Sequence, residues 1–95
     1  MTRNMPSVER LEEVHTFPGP YTFKLFGPND GTFTEQVRTA ALRLVTDAAW
    51  IDQSVRPSSG GKHVCVTLDI QVESAHHVRA FYDDFGQIPN LRMML

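Results

Sequence analysis

The side chains in this chain best suited to chemistry are His63, Cys65 and Asp69, which stand two and four residues apart and, on an extended strand, share one face. An imidazole and a thiol are borderline and soft ligands, so the first chemistry to weigh is a small metal-binding site or an enzyme built on this strand face. Alternate residues on a strand are about 6.6 Å apart and project in parallel, so three such ligands do not converge on one ion without further donors. His15, His76 and His77 are the remaining histidines, and a histidine pair at a helix start is ordinarily polar surface, so the expectation is no metal. Cys65 as a nucleophile would need an anchored base. His63 lies on the same face but nothing in the sequence holds it, and a half-buried structural cysteine is the simpler expectation.

Other constellations lack part of their equipment. Gly27-Pro28-Asn29-Asp30-Gly31 carries an acid where a phosphate-cradling loop of the acylphosphatase kind needs an arginine, so it would repel a phosphate. Its backbone amides could still meet a ligand's carboxylate. Gly60-Gly61-Lys62 resembles part of a phosphate loop, yet it falls between two strands and opens no helix, so it reads as a hairpin turn. Asp83 and Asp84 are consecutive on a helical segment and diverge by about 100°, which does not make a catalytic carboxylate pair. Lys24 and Asp69 are expected to pair across neighbouring strands, with Arg56 and Arg92 flanking them, so an anionic partner or a small carboxylate ligand could dock there. No catalytic residue and no cofactor is expected.

The bulk properties bound the answer. Ninety-five residues, 41% of them hydrophobic and 21% charged, fit one compact domain able to bury about two thirds of its unfolded surface. Nine basic against eleven acidic residues give a net charge of −2, so there is no field to hold a phosphate backbone, and nucleic-acid binding is not expected. One cysteine cannot form an internal disulfide, which points to a reducing compartment, the cytoplasm. No secretory leader and no membrane span is expected, because the apolar stretches are strand-sized.

The elements that must position these residues follow from periodicity. Residues 1–16 read as a lead-in, a short helix or tail, in which Ser7 caps a turn with Val8, Leu11 and Val14 on one face. The domain proper is 17–95. Residues 21–26 alternate, with Tyr21, Phe23 and Leu25 inward. Thr32 and Glu35 form a capping-box pattern ahead of a helical stripe of Phe33, Val37, Ala41, Leu44, Val45 and Ala48, ending near 47–49. A strand at 51–57, a turn at Ser58-Ser59-Gly60-Gly61 and a clearly alternating strand at 63–72 make a hairpin. Ser74 caps a second helix bearing Val78, Phe81, Tyr82 and Phe85, Gly86 ends it, and Leu91, Met93 and Leu95 supply a last strand that turns Arg92 and Met94 toward the outer sheet face. The order βαββαβ predicts an α+β ferredoxin-like plait, a four-stranded antiparallel sheet with two helices on one face and the first and third strands central. The other face is open. Of its central positions only Phe26 is aromatic, which argues against the stacked-base mode of RNA-binding domains with this architecture. Exposed edge strands predict a homodimer formed by strand addition.

Several motifs line up with a known family. Phe17-Pro18, Tyr21-Thr22-Phe23-Lys24-Leu25-Phe26-Gly27, Val55-Arg56-Pro57-Ser58-Ser59, Gly61 and Leu91-Arg92-Met93-Met94-Leu95 together resemble the YbeD family, small bacterial domains of unknown function. His63 departs from the aromatic residue usual after the hairpin. The resemblance implies a ferredoxin-like fold similar to ACT regulatory domains, which bind small ligands at their interfaces. It leads to a non-catalytic regulatory or protein-interaction domain, taking a partner protein or a small carboxylate ligand. The ligand-contacting candidates are Lys24, Gly27, Asn29, Arg56, Ser58, Ser59 and Asp69.

Overall fold

A computed structural model describes residues 5–95; of the lead-in at 1–16, the first four residues lie outside the described residues. The rest of the lead-in is ordered by its own cap and by one buried side chain. The Ser7 hydroxyl accepts from the Arg10 amide at 3.1 Å and starts α1 (Val8–Val14). Leu11 is buried in the core, whereas Val14, expected beside it, is exposed at the helix end. Arg79 Nη1 donates to the Pro6 carbonyl at 2.8 Å, so the lead-in is tied down by a hydrogen bond as well as by packing.

Strand β1 (Gly19–Pro28) follows, with Phe23 and Leu25 fully buried and Thr22 and Lys24 exposed, as strict alternation demands. Helix α2 (Thr32–Leu42) starts differently from the expected capping box. Gly31, at φ 76°, is the N-cap and Thr32 is already helical, while the Asp30 carboxylate accepts from the Phe33 amide at 3.0 Å. An acid just before the first turn does the work that Thr32 was expected to do. Helix α2 also ends early, at Leu42. Leu44 and Val45 still pack against the core, but Ala48 is exposed, and Asp47 caps a separate 3-10 turn (Ala48–Trp50) through the Ala49 amide. Thr46 and Asp47 favour local side-chain bonds over helix continuation, and the break lets the chain enter the sheet at Ile51.

Strands β2 (Ile51–Pro57) and β3 (His63–Val72) occupy the expected ranges, joined by a turn in which Gly61 has φ 73°. The turn is closed by Ser58, whose amide donates to the His63 carbonyl at 2.8 Å and whose hydroxyl accepts from the His63 amide. Helix α3 (Ala75–Phe85) is capped by Ser74, with Val78, Phe81, Tyr82 and Phe85 buried. Strand β4 (Met93–Met94) is short and pairs Met94 with inward Leu25 and Met93 with outward Phe26. This reverses the expected facing of the last strand: Met94 packs on the core and Met93 is half exposed.

The sheet order is β2-β3-β1-β4, every neighbour antiparallel, with α2 and α3 covering one face. This is an α+β ferredoxin-like plait. Its centre is aromatic, since the Phe23 ring lies 5.4, 5.2 and 5.3 Å from those of Phe81, Tyr82 and Phe85.

Tyr82 has a consequence for alkaline stability. Its hydroxyl lies 3.1 Å from that of Tyr21, and burial, then the hydrogen bond to Tyr21, raise its pKa well above the usual value near 10. The folded state thus keeps a proton that the unfolded chain releases, so the stabilisation is complete below pH 10 and is lost as pH climbs beyond it. Above pH 10 the wild type should lose stability faster than Tyr82→Phe, by up to about 1.4 kcal/mol per pH unit. Urea titrations of both proteins between pH 8 and about pH 11 check this, and equal slopes would remove it.

Candidate functional site

The sheet face away from α2 and α3 is built from the outward residues of all four strands. One row across it runs Arg56, Cys65, Phe26, Met93, and the next runs Ser54, Thr67, Lys24. Asp52, Asp69 and Thr22 form the third. The face is therefore basic and apolar at one end and acidic at the other.

The expected pairing of Lys24 with Asp69 does not form. Register sets Thr67 opposite Lys24 and Thr22 opposite Asp69, and the Thr22 hydroxyl donates to the Asp69 carboxylate. A direct cross-strand neighbour outcompetes a diagonal one because its side chain needs less extension to reach. Lys24 and Arg56 have no ion pair among the described residues.

Past the end of the sheet, β1, the hairpin and the segment before β4 meet around a shallow cleft of about 580 Å³ lined by Pro28, Asp30, His63, Asn90, Leu91 and Arg92. Arg92 Nη1 lies 2.8 Å from His63 Nε2. A guanidinium can only donate, so Nε2 is the unprotonated nitrogen of that ring. Two neighbouring candidates serve the framework. Asn29 ties the first loop to the hairpin, its side chain donating to the Gly61 carbonyl at 2.9 Å and its amide to the Lys62 carbonyl at 3.0 Å. Gly27 is buried, and a Cβ there would stand 2.5 Å from the Phe33 ring. Ser58 closes the hairpin, and Ser59 is exposed on it.

The structure thus gathers Gly27, Asn29 and Ser58 at the hairpin end, sets Lys24 and Asp69 on the open face, and leaves Arg56 at the sheet edge. The structure adds Arg92 with His63 as a contact pair, and Asn90, whose φ is 68°, on the cleft wall. Their convergence depends on how the chain returns after α3, which no local spacing encodes.

The remaining titratable groups hold elements together. Among the described residues no three His, Cys, Asp or Glu side chains are gathered closely enough to hold a metal ion. The Cys65 thiol is half-buried, 3.8 Å from the Thr67 hydroxyl. His77 is not simple polar surface: Nδ1 accepts from the Glu73 amide at 3.0 Å and Nε2 donates to the Leu44 carbonyl at 2.7 Å, joining the start of α3 to the segment after α2. Asp84 receives two bonds from Arg43, at 3.2 and 3.3 Å, at the edge of a second cleft between α2 and α3. No described helix is long and apolar enough to cross a membrane.

Fold and site together define a small ferredoxin-like domain with one open sheet face and a cleft at its hairpin end. Residues 12–95 match the family described as "Protein of unknown function (DUF493)", and the chain belongs to that family. Among curated relatives it is 30% identical to a UPF0250 protein of Idiomarina loihiensis and 29% identical to the UPF0250 protein YbeD of Escherichia coli. The alignments cover 90% of this chain in both cases, and 96% and 97% of those relatives. A UPF0250 protein of Sodalis glossinidius is 32% identical over 90% of this chain and 97% of its own. None of these names carries a reaction.

Proposed function

We propose that this protein is a non-catalytic, ACT-like regulatory module that binds a small carboxylate ligand in the cleft at the hairpin end. The observation that carries this reading is Arg92, whose guanidinium leans on the uncharged Nε2 of His63 and has no carboxylate partner among the described residues. An arginine left without a counter-ion at the mouth of a cleft is suited to bidentate recognition of a carboxylate. Asp30, on the same cleft wall, accepts from the α2 amide of Phe33 and makes no ion pair with Arg92. Lys24 adds a second cation on the adjoining open face. A lone half-buried thiol suits a reducing cytoplasm.

The test is a thermal-shift titration against mono- and dicarboxylates, with amino acids included. At about a hundred times its dissociation constant a ligand adds roughly 2.7 kcal/mol, which should raise the midpoint by on the order of 10 °C. The rise should vanish in Arg92→Gln. No response across the panel, or an undiminished response in that variant, overturns the reading.

A further inference from the structure

We infer that the outer edge of β2 is a self-association surface, on which a second copy of this chain adds its own β2 antiparallel, with Ser54 on the two-fold axis. The argument begins with which backbone groups are free. The Ser58 amide donates to the His63 carbonyl, so by alternation the backbone groups of the even-numbered residues of β2 face β3 and those of the odd-numbered ones face outward. The Ile51 amide is already bonded to the Ala48 carbonyl, and Pro57 has no amide hydrogen. Between them, Gln53 and Val55 present both backbone groups on an edge that no other strand covers among the described residues. Such an edge is a template for another strand.

The side chains choose the occupant and the register. The segment Asp52-Gln53-Ser54-Val55-Arg56 carries opposite charges at equal distances on either side of Ser54. A two-fold through Ser54 sets Gln53 opposite the second copy's Val55, giving four backbone bonds, and sets Asp52 directly opposite the second copy's Arg56, twice. The Asp52 and Arg56 pairs fall at non-hydrogen-bonded positions, where cross-strand side chains come closest. Moving the register by the smallest step that keeps free backbone groups facing sets Asp52 against Ser54 or Ser58 and runs into the engaged Ile51 amide or into Pro57. Only one register satisfies both backbone and charge.

Two further features fit the same arrangement. Arg56 has no ion pair among the described residues, and Asp52 stands opposite the like-charged Asp69, so each charge gains a partner by association. Val55 is 44% exposed on the helix-side face. In the assembly it meets Gln53, which lines a cleft of about 310 Å³ under α2 with Thr34, Glu35 and Arg38. The surface, residues 52–56, shares no residue with the lining of the Arg92 cleft, so this inference stands whether or not that cleft binds a carboxylate.

The experiment is a charge swap read by light scattering on eluting protein. Wild type is expected at twice the chain mass at concentrations of about 100 µM, and Asp52→Arg and Arg56→Asp each at the single-chain mass. Mixing the two variants should restore the doubled mass, because each then meets a complementary partner. A monomeric wild type, a doubled mass that persists in both variants, or a mixture that stays monomeric overturns the inference. A positive test needs no disrupted interface: in a Cys65→Ser background, Ser54→Cys should form a disulfide-linked dimer on mild oxidation and Ser58→Cys should not. The geometry requires this because residues on the axis approach within disulfide range of their own copies. Equal cross-linking at both positions overturns the register.

Discussion

Phe23→Ala should lower stability by about 3–5 kcal/mol, enough to bring the thermal midpoint down by roughly 15–30 °C in a domain of this size. Phe23 is completely buried on a central strand, and its ring touches those of Tyr21, Phe81, Tyr82 and Phe85, so its removal opens a cavity between the sheet and α3. The surrounding rings are held by a strand on one side and a helix on the other, which limits how far they can collapse. A domain with 5–15 kcal/mol in all would retain little margin. Phe23→Leu keeps most of the volume and should cost about 1–1.5 kcal/mol, so it remains measurable if the alanine variant fails to fold. Urea unfolding of both, followed by circular dichroism at 25 °C, gives the comparison. A loss under about 1.5 kcal/mol for Phe23→Ala would falsify the view that this ring cluster anchors α3 to the sheet.

The plait was legible in the sequence because its core residues follow two simple periods. Val64, Val66, Leu68, Ile70 and Val72 alternate without a fault, and Val78, Phe81, Tyr82 and Phe85 recur at helical spacing behind a serine cap; all of them are buried. Where periodicity does not decide the structure, a local side-chain bond or the return of the chain does. Asp30 displaced Thr32 as the cap of α2, and Asp47 captured the Ala49 amide where the apolar stripe suggested further helix. The phase of β4 was unreadable from Leu91-Arg92-Met93-Met94-Leu95, since apolar residues stand at both parities and register with β1 alone selects Met94 for the core.

The candidate site was legible only as a set of residues on faces. Alternation put Lys24, Phe26, Cys65, Thr67 and Asp69 on the open face, and the structure has them there in adjoining rows. Which of them touch was not accessible, because antiparallel register is fixed by turn length and core packing, and a two-residue difference replaces Lys24 with Thr22 beside Asp69. Arg92 and His63 are 29 residues apart and meet only after α3 has crossed back. The symmetry of Asp52 and Arg56 about Ser54 is plain in the chain, but it acquires meaning only once β2 is known to be an edge strand with those two residues on one face.

Gly27 divides the framework from the site most sharply, because the same residue was expected to let a ligand approach the backbone. Its inward direction and the Phe33 ring, 2.5 Å from where a Cβ would stand, make it a packing glycine. Phe33 is buried at 1% exposure and its own amide is capped by Asp30, so the ring has little freedom to swing aside. Gly27→Ala should therefore destabilise by about 2 kcal/mol net, after the roughly 0.5–1 kcal/mol that alanine ordinarily gains over glycine in a strand interior. The midpoint should fall by about 8–16 °C. Phe33→Leu removes the obstructing ring edge, so the double variant should be more stable than the sum of the two single losses by about 1 kcal/mol or more. Strict additivity would mean that Phe33 is not what requires the glycine. The double variant also separates the two roles: if the glycine serves packing alone, it should keep the wild-type thermal shift with a carboxylate ligand, while a lost response with a restored fold would return Gly27 to the ligand's path.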